Sequence, residues 1–220
     1  MTYHLLNEII ENDQHQDDNT DAIADLYIFD LGGILLFSFD PVKQFFAETL
    51  HMADWSPQPS FVLTDASLYN HGHFFSFKWS PFTQLEKWSA FWYVGMGALW
   101  GVSYRWEDQT SLSLAGGLRA SSLEVLDAGK FRQTVRLSWS AGIFYDKFNT
   151  PTLSFTIARL NDRNAFTLNI YPGIFHIGSF SFGAWTEVRD DRYFLIGLTT
   201  KWAPGVALKT VAFDGSIHEN

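Results

Sequence analysis

"WSAFWYVGMGALWGVSYRW" (88–106) decides the fold. It holds four tryptophans, two tyrosines and one phenylalanine, with one charge, Arg105. The stretch is not uniformly apolar. Its even positions are Trp88, Ala90, Trp92, Val94, Met96, Ala98, Trp100, Val102, Tyr104 and Trp106, every one apolar or aromatic. Its odd positions are Ser89, Phe91, Tyr93, Gly95, Gly97, Leu99, Gly101, Ser103 and Arg105, which are smaller and more polar. A period of two is the mark of a strand with two unlike faces. The run is long for one strand, so a bend is expected at Gly95–Gly97.

The same split recurs downstream. Phe75, Phe77 and Trp79 oppose Phe74, Ser76, Lys78 and Ser80. Leu112, Leu114 and Leu118 oppose Ser111, Ser113, Gly117 and Arg119. Val135, Leu137, Trp139, Ile143 and Tyr145 oppose Arg132, Thr134, Arg136, Ser138 and Ser140. Further segments follow at 152–158, 165–177, 180–188 and 193–202, with Glu187 and Lys201 on polar faces. This predicts about eight strands, with "SFVLTD" (60–65) as one more candidate. The connections, such as "EDQT", "DAGK" and "RDDR", are short and carry turn chemistry, so neighbours pair as an antiparallel meander. Pro172 marks a bulge or an edge.

Composition narrows the class. Cysteine is absent, which removes disulfide frameworks and thiolate metal sites. Aromatics make up 17% of the 220 residues and charged residues only 18%, a sparse charge for a solvated surface. Mean hydropathy is −0.06, as expected where lumen-facing positions dilute lipid-facing ones. The longest strongly apolar run, "LGGILLF" (31–37), falls far short of the roughly 20 residues a spanning helix needs. The first residues, "MTYHLLNEIIEN", carry no basic segment followed by an apolar one, so no signal peptide is expected in this sequence.

The net charge of −9 is unevenly placed. Residues 1–60 hold eleven acids and one base, Lys43, whereas residues 61–220 are nearly neutral. Such asymmetry separates structural regions. The expected organisation is an acidic helical lead-in (1–60), a β region (61–210) and a tail (211–220). In the lead-in, Asp40 is the expected N-cap and Pro41 the first helical residue. Gly32-Gly33 is either a close backbone approach or a helix break.

Two arrangements follow from the unlike faces. A soluble sandwich binding an apolar ligand would turn the large face inward. The outer face would then lack the Lys and Glu of a solvated sheet. A transmembrane barrel turns the large face to lipid and keeps the small face in a narrow lumen. Trp79, Trp88, Trp106 and Trp202 then form an aromatic girdle at the two interfaces. The expected fold is therefore mainly β, a closed barrel of about eight strands with an N-terminal helical segment.

The stretch "TDAIADLYIFDLGGILLFSFDPVKQFF", followed by "DWSPQPSF", "LYNHGHFFSFKW" and "WSAGIFYD", resembles a group of uncharacterised bacterial outer-membrane β-barrel proteins with an acidic, Gly-Gly-containing helical lead-in. The resemblance covers most of the chain. It implies a barrel in a Gram-negative outer membrane with outer-membrane lipid as its partner, and it implies no reaction. The chain departs from the pattern at "ALKTVAFDGSIHEN", where many such barrels end on an aromatic.

In the lipid-facing arrangement the inward charges are Lys78, Arg105, Arg119, Arg132, Arg136 and Lys201, against Asp146 and Glu187. Surplus buried charge demands partners. Glu8, Glu11, Asp25 and Asp30 would supply them if the lead-in plugs one mouth; otherwise those acids solvate a peripheral cap. No catalytic residue stands out. His73 and Ser76 are three apart on a strand and face opposite sides, as do His176 and Ser179, which weakens a rim-site acyl hydrolase or transferase. His71 and His73 lack a third ligand, so no metal or cofactor is indicated. The acidic balance argues against nucleic acid. The expected role is structural, or the binding or passage of a small or lipidic molecule.

Overall fold

The computed structural model describes residues 31–81, 87–127, 132–160, 163–189, 193–201 and 203–211. The chain divides into two units, Met1–Leu50 and His51–Asn220. The described part of the first unit is helical: α1 (Leu31–Leu36), α2 (Asp40–Gln44) and a π-helical turn, Phe45–Thr49. The cap of α2 is Phe39, extended at ψ 122°, and not Asp40. Asp40 is the first helical residue and its carboxylate pairs with Lys43 at 2.6 Å, one turn on. Gly32 and Gly33 lie inside α1, and a Cβ on either would meet nothing within 4 Å. Among the described residues the pair makes no close approach.

The second unit is one mainly β sheet of thirteen strands. They are β1 (Ala53–Asp54), β2 (Ser60–Val62), β3 (Ser67–Tyr69), β4 (Phe75–Trp79), β5 (Trp88–Val94), β6 (Gly97–Arg105) and β7 (Thr110–Asp127), followed by β8 (Arg132–Lys147), β9 (Thr150–Leu160), β10 (Arg163–Ile177), β11 (Phe180–Arg189), β12 (Tyr193–Thr200) and β13 (Gly205–Val211). β4 to β13 form an antiparallel meander in chain order. β1 adds to β4, while β2 runs parallel to β13 and carries β3 outside it. One short stretch, residues 53–62, thus pairs with both ends of the meander.

This corrects the expected eight-stranded closed barrel. The ladder has thirteen strands and two ends, β1 and β3, and it does not close among the described residues. Three causes account for the count. Residues 88–106 are a hairpin that turns at Gly95-Met96, not one strand. β13 alternates as the others do but follows β12 across Pro204. β2 falls within the candidate at 60–65, and β1 and β3, at two and three residues, are too short for a period to register. The sheet includes residue 53 onward, so it takes in part of the stretch before residue 61.

The hairpin at 95–96 preserves parity. Trp92 pairs with Trp100 and Tyr93 with Leu99, so even positions stay on one face through both strands. That face is exposed: Trp100, Val102, Leu114, Trp139, Ile143, Ile196, Leu198 and Leu208 all lie open. The opposite face is buried: Ser76, Phe91, Ser103, Ser113, Ser140, Phe144, Ser154 and Trp185. Most large aliphatic side chains, with Trp100 and Trp139, point outward, while the inward face combines serines with a few rings, Phe91, Phe144 and Trp185.

The sheet curls until its inner face packs on itself. Lys78 on β4 reaches Asp146 on β8, and Trp55 meets both Phe144 on β8 and Tyr171 on β10. Glycine makes room for the inward rings. A Cβ on Gly197 would lie 2.3 Å from the Trp185 indole nitrogen, and one on Gly142 would lie 2.7 Å from the Phe144 ring. Around Pro172 the β10–β11 register slips between Ile170 and Phe175, the irregularity expected of a residue that cannot donate to a ladder.

Candidate functional site

The interior has two unlike halves, and residues 53–74 shape both. In the first half, Trp55 enters the curl and is fully buried. Its backbone N–H donates to Phe74 O at 2.7 Å and its indole N–H to Ser76 Oγ at 2.8 Å. Tyr171 Oη donates to Trp55 O at 2.8 Å. Phe144 and Tyr171 stand edge-on to the indole at 5.3 Å each, and Phe91 and Tyr93 pack on Phe144. Beyond this aromatic cluster lies the ion pair between the Lys78 ammonium and the Asp146 carboxylate, both almost inaccessible to solvent. This half is filled.

In the second half, β3 carries Tyr69 onto Trp185, the rings stacked at 5.3 Å with a 14° tilt. His71, on the link to β4, stands edge-on to the same indole at 4.2 Å. Tyr69 Oη donates to one Glu187 oxygen, and Arg189 Nε donates to the other. Arg119 lies over Phe74, its guanidinium carbon 5.8 Å from the ring centroid.

Between these groups remains a cavity of about 160 Å³. Tyr69, His71 and Phe74 line one wall, Tyr93, Leu99 and Arg119 a second, and Ser140, Thr156, Asn169 and Glu187 a third. Met96, from the β5–β6 turn, borders it. The volume is that of an engineered cavity that takes up benzene, roughly 150 Å³. Three lining residues hold a buried polar atom with no hydrogen-bond partner among the described residues: His71 Nε2, Arg119 Nε and Asn169 Oδ1. Leaving such an atom unsatisfied costs about 1–3 kcal/mol, so three around one space are a costly way to build a void.

Of the charges expected inside, Lys78, Asp146 and Glu187 are buried, and Arg105 and Arg119 are half-buried. Arg136 and Lys201 are exposed, Lys201 in a separate open recess that Asp54 and Asn149 also line. Arg132 lies on β8, but its side chain falls outside the described residues. So do Glu8, Glu11, Asp25 and Asp30, the tail beyond Val211, and Trp202. Trp79, Trp88 and Trp106 are exposed near strand ends.

Trp55, Tyr69, Asn169 and Arg189 were not singled out by sequence reasoning. Arg189 was legible: it follows Glu187 by two and therefore shares its inward face. Trp55 was not, since "DWSPQPS" has no period.

At the turns the charges are ordinary. The Lys87 ammonium, 3.0 Å from Glu107, is pushed above its usual range by that carboxylate. Asp108 is held below its usual range by hydrogen bonds from Thr110. Of the residues weighed for acyl chemistry, Ser76 Oγ accepts the Trp55 indole N–H, and His176 and Ser179 are exposed at the β10–β11 turn. Among the described residues no group of three His, Asp or Glu side chains is placed to hold a metal ion.

Compared with known protein families, curated proteins and solved structures, the chain matches none. Function is therefore read from the geometry of its two faces and its interior.

Proposed function

We propose that this chain is an integral membrane protein of the bacterial outer-membrane β-barrel type, with a partly packed interior that makes it a binding or structural barrel and not an open pore. The observation that carries the reading is the exposed outer face. Trp100, Val102, Leu114, Trp139, Ile143, Ile196 and Leu198 form an apolar surface spread over β6, β7, β8 and β12. A water-facing sheet of that character would be an aggregation site, whereas a lipid-facing one is ordinary. A sheet in lipid needs its edges satisfied. On this reading residues 53–62, which pair with β4 and with β13, are the seam.

The test is extraction, migration and substitution. The folded chain should need detergent and should migrate faster on gels unheated than boiled. A monodisperse, folded protein in detergent-free buffer overturns the reading. Ile196→Arg places a charge on the exposed face of β12. In lipid vesicles it should lower stability by about 2–4 kcal/mol. On a solvated face the change would stay within about 0.5 kcal/mol. In planar bilayers the protein should give no steady conductance, because the Trp55 cluster fills one half of the interior.

A further inference from the structure

The half-open cavity has a chemistry of its own. Its walls are sorted: Phe74, Tyr93 and Leu99 are apolar, whereas His71, Arg119 and Asn169 are polar, and each holds a buried side-chain atom without a hydrogen-bond partner among the described residues. His71 is nine-tenths buried. The charges are also unequal. Glu187 already holds Arg189 and the Tyr69 hydroxyl, while among the described residues no carboxylate pairs with Arg119. The space has room for one ring-sized body.

We propose that this cavity binds a small organic monoanion, a carboxylate on a flat apolar body the size of a benzene ring. The carboxylate meets the Arg119 guanidinium, with charge-assisted pairing as the driving term. His71 and Asn169 complete the polar end, and Asn169 in its other amide orientation donates in place of accepting. The ring lies against Phe74, Tyr93 and Leu99. The site depends on the interior alone, so it stands whether the outer face meets lipid or not.

The experiment titrates 4-fluorobenzoate into the full chain, in whichever medium keeps it folded, and follows the ¹⁹F resonance. The parallel arms use neutral 4-fluorobenzyl alcohol and inorganic phosphate. The carboxylate should bind saturably, at least tenfold tighter than the alcohol and than phosphate. Arg119→Gln should weaken it at least tenfold, and Arg119→Lys, which keeps the charge and loses the planar guanidinium fork, by an intermediate factor. Arg159→Gln, at an exposed position on β9, should change nothing. Far-UV circular dichroism of each variant gives the folded fraction, and affinities are compared per folded protein. The proposal is overturned by the absence of saturable binding, by an alcohol or phosphate that binds as tightly, or by folded Arg119→Gln that binds as well as the unmodified chain. Loss of detergent-dependent behaviour with retained benzoate binding would overturn the membrane reading and leave this one standing.

Discussion

The two halves of the interior share β5, β8 and β10, yet one is packed and the other is not. Around Trp55 the inward positions carry rings, and the one ion pair there is matched charge for charge. Around Arg119 one wall carries Ser140, Thr156 and Asn169 against the rings of Phe74 and Tyr93, and three buried polar atoms have no partner among the described residues. The difference teaches that inward-facing polarity is not one thing. Where the ring cluster shuts out water, a charge survives only in a pair. Where space remains, a charge can stand unmatched and wait for a partner from outside.

The contrast can be broken by substitution. Trp55→Ala should have the largest effect. It opens the filled half and strips a cluster of ring contacts and the indole hydrogen bond to Ser76. A loss of about 3–5 kcal/mol is expected for such a truncation, read as a shift in the urea midpoint of refolding into micelles.

Lys78→Met should cost a comparable or slightly smaller amount, about 3–5 kcal/mol, because it strands the Asp146 carboxylate in a dry site. The double variant Lys78→Met with Asp146→Asn removes the stranded charge and should recover most of the loss. A double variant as unstable as the single would mean that packing, not charge, fails.

In the open half, Arg119→Gln should move stability by less than about 1 kcal/mol, since no carboxylate is left behind. A large loss there would mean that Arg119 is structural and that the two halves are alike after all.

The alternation in 88–106 made the two faces legible, because period two survives a two-residue turn between paired strands. The same property hid the reversal: a bend was expected at Gly95–Gly97, but unbroken parity through Gly95-Met96 gave no sign that the chain turns back on itself there. β1 and β3 escaped because two or three residues hold no period; β2, within the candidate at 60–65, was legible as a strand, but its partner β13 lies far away in sequence. The inward charges Lys78, Asp146 and Glu187 were legible from parity. Their partners were not. Which strand faces which across the interior depends on how tightly the sheet curls, and the curl is a product of the whole ladder. Trp55 is the clearest case. It lies outside any alternating run, between an exposed Asp54 and Pro57, and only the tertiary fold gives it an indole acceptor on Ser76 and a ring on Phe144.

Residues 53–62 carry a consequence for the order in which the sheet assembles. Each hairpin of the meander joins near neighbours and closes only a short loop, so β4 to β13 can zip in sequence. The pairing of Ser60 with Gly205 spans most of the unit and must wait for β13. Loop-closure entropy grows with that span, and non-local pairings are the slow steps of β folding. β1 can add to β4 early, because the two lie close in sequence, whereas β2 is synthesised before the meander and docks last. Until it docks, β13 presents a bare edge, and the time spent in that state sets how long the chain is open to pairing with a neighbour.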